Sequence, residues 1–357
     1  MKQSERKADP TMVEVAKKAG VSVATVSRVV NNSGTVSAKL EQRVLKAMQK
    51  LNYHPSTLAR SFKKQQTMLI GVLIPILEHP SYSRMASSIE KRLFEQGYRA
   101  LICNSEEDEQ REKEYIEMLL RQRVDGMIIN SSARDSQSLM VLGENNIPIV
   151  LFDRNLKDLR CNKVFCDNSM GGFTGMEHLI QLGHQRIGVV GAPSHPEPII
   201  RRMLGIRQAM TQYEMPYDPE LMVMGDTQLF DMGYNAARQL MELASPPTAI
   251  FALTDVTAVG VMHAVAEMGY KVPDDISVLG YDDIPIASYM MPPLTTVAQP
   301  IVEMGRTAVD LLLRQIEDGD LEPQSAVLET RLVIRSSTAP PREVSNTLFY
   351  TRDNQTH

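Results

Sequence analysis

Residues 11–31, T-M-V-E-V-A-K-K-A-G-V-S-V-A-T-V-S-R-V-V-N, constrain the fold more tightly than any other stretch of the chain. Thr11 followed three residues later by Glu14 is a capping box, which predicts a helix starting there. Val13, Ala16, Ala19 and Lys17 mark its inner and outer faces, and Gly20 ends it with a tight turn. Ser22 can cap a second helix, on which Val26 and Val30 fall at i, i+4 and point inward. Val23, Ala24, Ser27 and Arg28 take the opposite face. Two short helices joined at a glycine, the second presenting small residues and one arginine, describe a helix-turn-helix. The same pattern also suits a helical hairpin inside a larger core.

Charge separates the two readings. Residues 1–64 carry 13 Lys and Arg against 4 Asp and Glu, whereas the remaining residues carry 25 against 39. A mildly acidic protein thus has a strongly basic head, as a phosphate-binding module on a different kind of body would. DNA binding follows. Val23 and Ala24 suit thymine methyls, Arg28 a guanine edge, and Ser22, Thr25, Ser27 and Asn31 the backbone. A single head of this size binds weakly, so a homodimer on a pseudo-palindromic duplex operator is expected.

The 357 residues imply two or three domains. The first ten residues hold no apolar run of the secretory kind, and no window approaches the ~20 apolar residues of a membrane span. The three cysteines, Cys103, Cys161 and Cys166, form no C-x-x-C pair and read as buried small hydrophobes in a reducing, cytoplasmic setting.

After the second helix, Ser37 opens a third with Leu40, Val44, Ala47 or Met48 and Leu51 at helical spacing. The head is therefore placed at 1–54 and a linker at 55–66. Pro55 suits the first turn of a short helix over 56–62, which cannot be stable alone. Leu58, Ala59 and Phe62 would face a partner, while Arg60, Lys63 and Lys64 would reach phosphates.

The head and linker resemble the LacI/GalR family of bacterial transcription regulators, and the similarity runs to about residue 340. It is carried by V-A-x-x-A-G-V-S-x-x-T-V-S-R-V-x-N and Y-x-P-S-x-x-A-R, then by L-G-H-Q-R-I, R-x-x-G and P-T-A-I-F-A. V-P-D-D-I-S-V-L-G-Y-D-D and P-P-L-T-T-V-A-Q-P complete it. The resemblance implies that paired linker helices enter the minor groove and wedge a side chain between bases. Phe62 stands where the family usually has leucine, and phenylalanine is an accepted wedge. Thr11, Tyr53 and Ser56 complete the DNA-contacting candidates.

From residue 67 to 341 the chain alternates apolar runs with helical patterns. Runs at 68–75, 99–105, 125–130 and 147–153 predict strands of a first lobe, about 67–160. Runs beginning near Lys163, Arg186, Thr248 and Ile276 predict a second, about 161–290. The stretches 295–300, 301–316 and 327–335 are expected to cross between them. Near-continuous apolar strands separated by helices argue for parallel sheets covered on both faces. The fold class is an α-helical helix-turn-helix head plus an α/β body of two parallel-sheet lobes. By resemblance the body is periplasmic-binding-protein-like, an effector-binding and dimerisation domain. The tail, 342–357, has no leucine heptads and is expected to lack order.

Polar residues at strand ends carry the chemistry of such a body. Asn130, Asp153, Thr254 and Asp282 each close an apolar run, and Arg202 lies early in a helix. Asp and Asn hold sugar hydroxyls, and Arg binds hydroxyls or anions; each could equally be a turn or cap. By resemblance, Asn130, Asp153, Arg202 and Asp282 match effector-contacting positions, and the effector is a sugar or sugar derivative. Two departures stand out. Thr254-Asp255 replaces the family's frequent Asn-Asp, and the usual stacking aromatic is missing from its place. Phe230 and Tyr82 are the substitutes.

Enzyme readings fare poorly. There is no G-x-x-x-x-G-K-[ST] loop, no G-x-S-x-G elbow and no H-E-x-x-H. The histidines show no ligand spacing, and His184 reads as a turn residue; no metal and no cofactor are expected. The leading reading is a repressor of a carbohydrate-utilisation operon, controlled by a small-molecule effector. Control by a protein co-regulator, action as an activator, and a transport-type sugar-binding protein are the rivals.

Overall fold

The structure is a computed structural model describing residues 10–30, 34, 36–53, 66–131, 139, 141–142, 145–154, 156, 159–191, 197–225, 229–319 and 321–342. The chain divides into two units, Met1–Met68 and Leu69–His357.

The first unit holds α1 (Met12–Ala19), α2 (Val23–Val30) and α3 (Ala38–Leu51). The capping box forms in full: the Glu14 amide donates to Thr11 Oγ1 at 3.3 Å, and the Thr11 amide donates to Glu14 Oε2 at 2.7 Å. Gly20 ends α1 in the left-handed region at φ 62°. Ser22 Oγ then accepts from the Thr25 amide at 3.1 Å, capping α2. Val15, Ala16, Ala19, Val26, Val44, Ala47 and Tyr53 make a small core, with Met48 and Leu51 at its edge. Val13 is instead exposed. Ser37 precedes α3 without a side-chain cap bond. The expected linker helix lies outside the described residues.

The second unit contains two six-stranded sheets. The first comprises β1 (Leu69–Ile74), β2 (Arg99–Asn104), β3 (Gly126–Ile129), β4 (Ile149–Phe152), β5 (Asn162–Cys166) and β11 (Ser325–Leu328). Its order is β11-β5-β4-β3-β1-β2, parallel throughout. The second comprises β6 (Ile187–Gly191), β7 (Met222–Met224), β8 (Ala249–Ala252), β9 (Ser277–Asp282), β10 (Thr295–Ala298) and β12 (Arg331–Val333). Its order is β12-β10-β9-β8-β6-β7, with only β12 antiparallel. Strands β3, β4, β6, β8, β9 and β10 are buried at every position, which is why they read as unbroken apolar runs.

Helices α4 (Pro80–Glu95) and α5 (Glu109–Arg121) serve the first sheet. The second is covered by α6 (Asn168–Gln181), α7 (Glu197–Gln212), α8 (Phe230–Met241) and α9 (Asp255–Glu267). The last helix, α10 (Ile301–Asp318), returns to pack on α4, β3, β4 and β5. The chain therefore crosses between lobes after β5, after β10 and between β11 and β12.

The lobe boundary differs from the sequence expectation at one strand. Residues 162–166 pair with β4 in the first sheet rather than opening the second lobe. An apolar run specifies a strand but not its neighbour, and the crossover comes one element later. The run 327–335 is likewise not one strand but parts of two, one in each sheet. The short edge strand β7 gave no pattern long enough to read. His184 is a buried anchor rather than a simple turn residue. Its ring nitrogens meet Thr248 Oγ1 at 2.9 Å, Ser277 Oγ at 3.1 Å and the Ala339 carbonyl at 2.9 Å. The three cysteines are buried thiols.

Candidate effector cavity and DNA-binding surface

A cavity lies where the carboxyl ends of strands from both sheets meet. Parallel sheets leave their ligand crevices at those ends, so side chains at or just past the ends of β3, β4, β8, β9 and β10 converge there.

The second lobe supplies the charged floor. Arg202, on α7, is 3 % exposed. Its Nη2 meets Asp282 Oδ1 at 3.2 Å, its Nε donates to Asn168 Oδ1 at 3.0 Å, and its Nη1 donates to the Leu253 carbonyl. The guanidinium carbon sits 3.6 Å from the centroid of the Tyr281 ring. Asp282 also accepts from Gln299 Nε2 at 2.6 Å, and the Tyr281 hydroxyl donates to Asn168 Oδ1 at 3.2 Å. A buried ion pair is tolerable only when further hydrogen bonds satisfy its members, and here they do.

The first lobe supplies Asn130 after β3, Asp153 after β4, and His79, Ser81 and Tyr82 around the start of α4. Asp153 receives the Asn168 side-chain amide at 3.4 Å. Burial pushes its carboxyl up to about 7, opposed by the Arg202 charge. Burial also raises the Tyr82 phenol, which stays protonated, and lowers the His79 imidazole, which stays neutral. Asp153 (φ 54°) and Asp282 (φ 115°) adopt backbone conformations rare for non-glycine residues. Strain of this kind concentrates at ligand sites.

In the head, Val23, Ala24 and Arg28 project from α2 into solvent, with Thr25 and Ser27 half-buried. A shallow groove lined by Lys17, Lys18, Arg43, Lys46 and Lys50 adds positive charge on α1 and α3. Arg43 Nη2 donates to the Ala19 carbonyl at 2.7 Å and so caps the end of α1.

Comparison with known proteins identifies both parts of the chain. Residues 11–56 match the model for bacterial regulatory proteins of the lacI family, and residues 176–338 match a periplasmic binding protein-like domain. The ribose operon repressor of Escherichia coli strain K12 is 38 % identical over 328 residues, covering 92 % of this chain and 99 % of that one. The chain belongs to the LacI family. It is a DNA-binding transcriptional repressor of that family and not an enzyme. HTH-type transcriptional repressor PurR of Aliivibrio fischeri strain MJ11 is 34 % identical over 329 residues, covering 92 % and 98 % of the two chains. Among solved structures, the lac repressor dimer bound to operator and the anti-inducer ONPF aligns with a TM-score of 0.83 at 32 % identity, covering 92 % of this chain and 99 % of that one. A LacI-family regulator from Enterococcus faecium with bound ribose aligns with a TM-score of 0.70 at 34 % identity, covering 76 % and 99 %.

Six of the seven effector candidates of this LacI-family chain (Tyr82, Asn130, Asp153, Arg202, Thr254 and Asp282) line the one cavity. Phe230 is not among its lining; it starts α8 and is 51 % exposed. Thr254 is partly committed elsewhere, since its Oγ1 accepts from the Thr257 amide at 3.1 Å and caps α9. His79, Ser81, Gln299 and Asn168 were not singled out from the sequence. Of these, only Gln299 lay inside a family motif, A-Q-P. Among the DNA candidates, Tyr53 is largely buried in the head's core. Asn31, Ser56, Leu58, Ala59, Arg60, Phe62 and Lys63 lie outside the described residues. No helix among the described residues is long and apolar enough to cross a membrane, and no cluster of His, Cys, Asp and Glu there has metal-binding form.

Proposed function

We propose that this repressor binds a pseudo-palindromic operator as a homodimer and is controlled by a sugar or sugar derivative in the interlobe cavity, serving a carbohydrate-utilisation operon. The observation that carries the reading is a single cavity bounded by both lobes, with the Arg202–Asp282 pair on one side and Asp153 on the other. A ligand touching both lobes stabilises one angle between them. That angle sets the separation of the linkers and hence DNA affinity. The ribose operon repressor and the ribose-bound regulator among its relatives support a sugar of small size.

In the head, Arg28 would contact a base edge, and Arg28→Ala should cost ~1–3 kcal/mol of specific binding. Phe62→Ala should weaken specific more than non-specific binding; equal losses on both would remove the wedge. The test of control is operator binding, with the operator selected from random duplexes, while sugars, sugar phosphates, sugar acids and purines are screened. One compound that shifts affinity, with the shift lost in Asp282→Ala and Arg202→Ala, is the expected result. Tight specific binding that no compound moves would replace the effector with a protein partner.

A further inference from the structure

We propose that His79, with Ser81 beside it, selects the ligand by donating its Nε2–H to an oxygen of an uncharged polyhydroxylated molecule, and that the site rejects the phosphorylated or carboxylated form of the same compound. This deepens the effector reading above and rests on it.

The tautomer follows from the start of α4. The backbone amide of Ser81 donates to His79 Nδ1 at 3.3 Å, so that nitrogen presents a lone pair. A neutral imidazole has one N–H, which must then be on Nε2. Burial favours the neutral ring. The ring sits against Tyr82, with centroids 5.1 Å apart and planes tilted by 47°. Nε2 and the Ser81 hydroxyl are both buried, both belong to residues lining the cavity, and neither has a hydrogen-bond partner among the described residues. Native proteins seldom leave such atoms unmet, and a pair of them in one cavity wall is what a site presents to a polar ligand.

Charge points the same way. Among the described residues lining the cavity, the carboxylates are Asp153 and Asp282 and the sole cation is Arg202. Arg202 is already committed to Asp282, Asn168 and the Leu253 carbonyl. An anionic ligand would face two carboxyl groups with no uncommitted counter-charge. Hydroxyl groups, in contrast, donate to the carboxylates and accept from His79 and Ser81, so a neutral polyol matches both walls.

The test is calorimetric titration of the full chain with D-ribose and a panel of other neutral pentoses and hexoses, and with the 5- or 6-phosphates and aldonic acids of the same sugars. A neutral sugar should bind, with its charged forms at least about 100-fold weaker. His79→Ala and Ser81→Ala should each weaken that sugar about 10- to 100-fold, with thermal unfolding reporting whether either variant is misfolded. Monodeoxy analogues give the same information on the unaltered protein: one of them should lose affinity, and His79→Ala should cost that analogue nothing more. A charged form binding as tightly as the neutral sugar overturns the proposal and leaves the effector reading standing. So does unchanged affinity in folded His79→Ala. Failure of every compound, neutral or charged, to bind overturns the effector reading and this inference with it.

Discussion

Asp153 shows how burial writes a pH dependence into one residue. Its carboxyl is held at about 7 rather than 3.8, chiefly because the charged form is desolvated. A folded-state value above the unfolded one means that the group favours folding below the unfolded value. That contribution is lost as pH rises through about 7. Asp153→Asn, which cannot ionise, should therefore raise the unfolding temperature of the ligand-free protein at pH 8 and change it little near pH 4. The upper limit is on the order of 4 kcal/mol. Equal shifts at the two pH values in thermal melts would show that Asp153 is not the titrating group. Asp153 and Asp282 were legible in the sequence because an acid that closes an apolar run marks either a turn or a site. His79 was not, because it lies outside any apolar run, where the structure shows it capping α4. That the ring's far nitrogen is buried without a partner, in a residue lining the cavity, depends on tertiary packing, which no local pattern encodes.

At the scale of elements, the site depends on how closely α6 and α7 approach. A Cβ on Gly172 would lie 2.1 Å from the Arg202 carbonyl oxygen, and one on Gly205 would lie 1.8 Å from that of Ser169. These contacts are backbone to backbone, so neither can give way by a rotamer change. The approach sets Asn168 of α6 beside Arg202 of α7, and through them the Asp282 carboxylate. Gly172→Ala should separate the helices, costing ~1–3 kcal/mol of stability and abolishing the effector's influence on operator binding while the head still binds DNA. Retained effector response in a protein of normal stability would show that the spacing is not needed. The helices themselves were readable from periodicity, as were most of the strands; β7 was too short, and β11 and β12 were fused into one run. Sheet membership was less readable, since nothing in the sequence of β5 says which of the two sheets it joins.

Over the whole effector-binding unit, one arginine joins the lobes beside the cavity. Arg84 of α4 donates from Nη1 to the Asp283 carbonyl at 2.7 Å, and Asp283 follows directly after the ligand candidate Asp282. The Asp283 carboxylate is meanwhile held by Arg335 at 2.6 Å. Both aspartates sit at positive φ, 115° and 55°, so the turn carrying them is a defined and strained shape rather than a slack loop. A ligand drawing on Asp282 would act on the same turn that receives the first lobe's arginine, and on the proposed function this would tie occupancy to the angle between the lobes. Coupling of this kind is a free energy shared between two binding events, and it is the same read from either end. Arg84→Ala leaves the cavity lining intact, so effector affinity measured without DNA should change by only a few-fold, on the order of one partly buried hydrogen bond. The ratio of operator affinities with and without effector should instead fall toward one, and operator should alter effector affinity by the same reduced factor. Both ratios come from one thermodynamic cycle on the same preparation. An unchanged ratio would show that the lobes communicate with the head without this contact. The two ratios must agree, because they close one cycle.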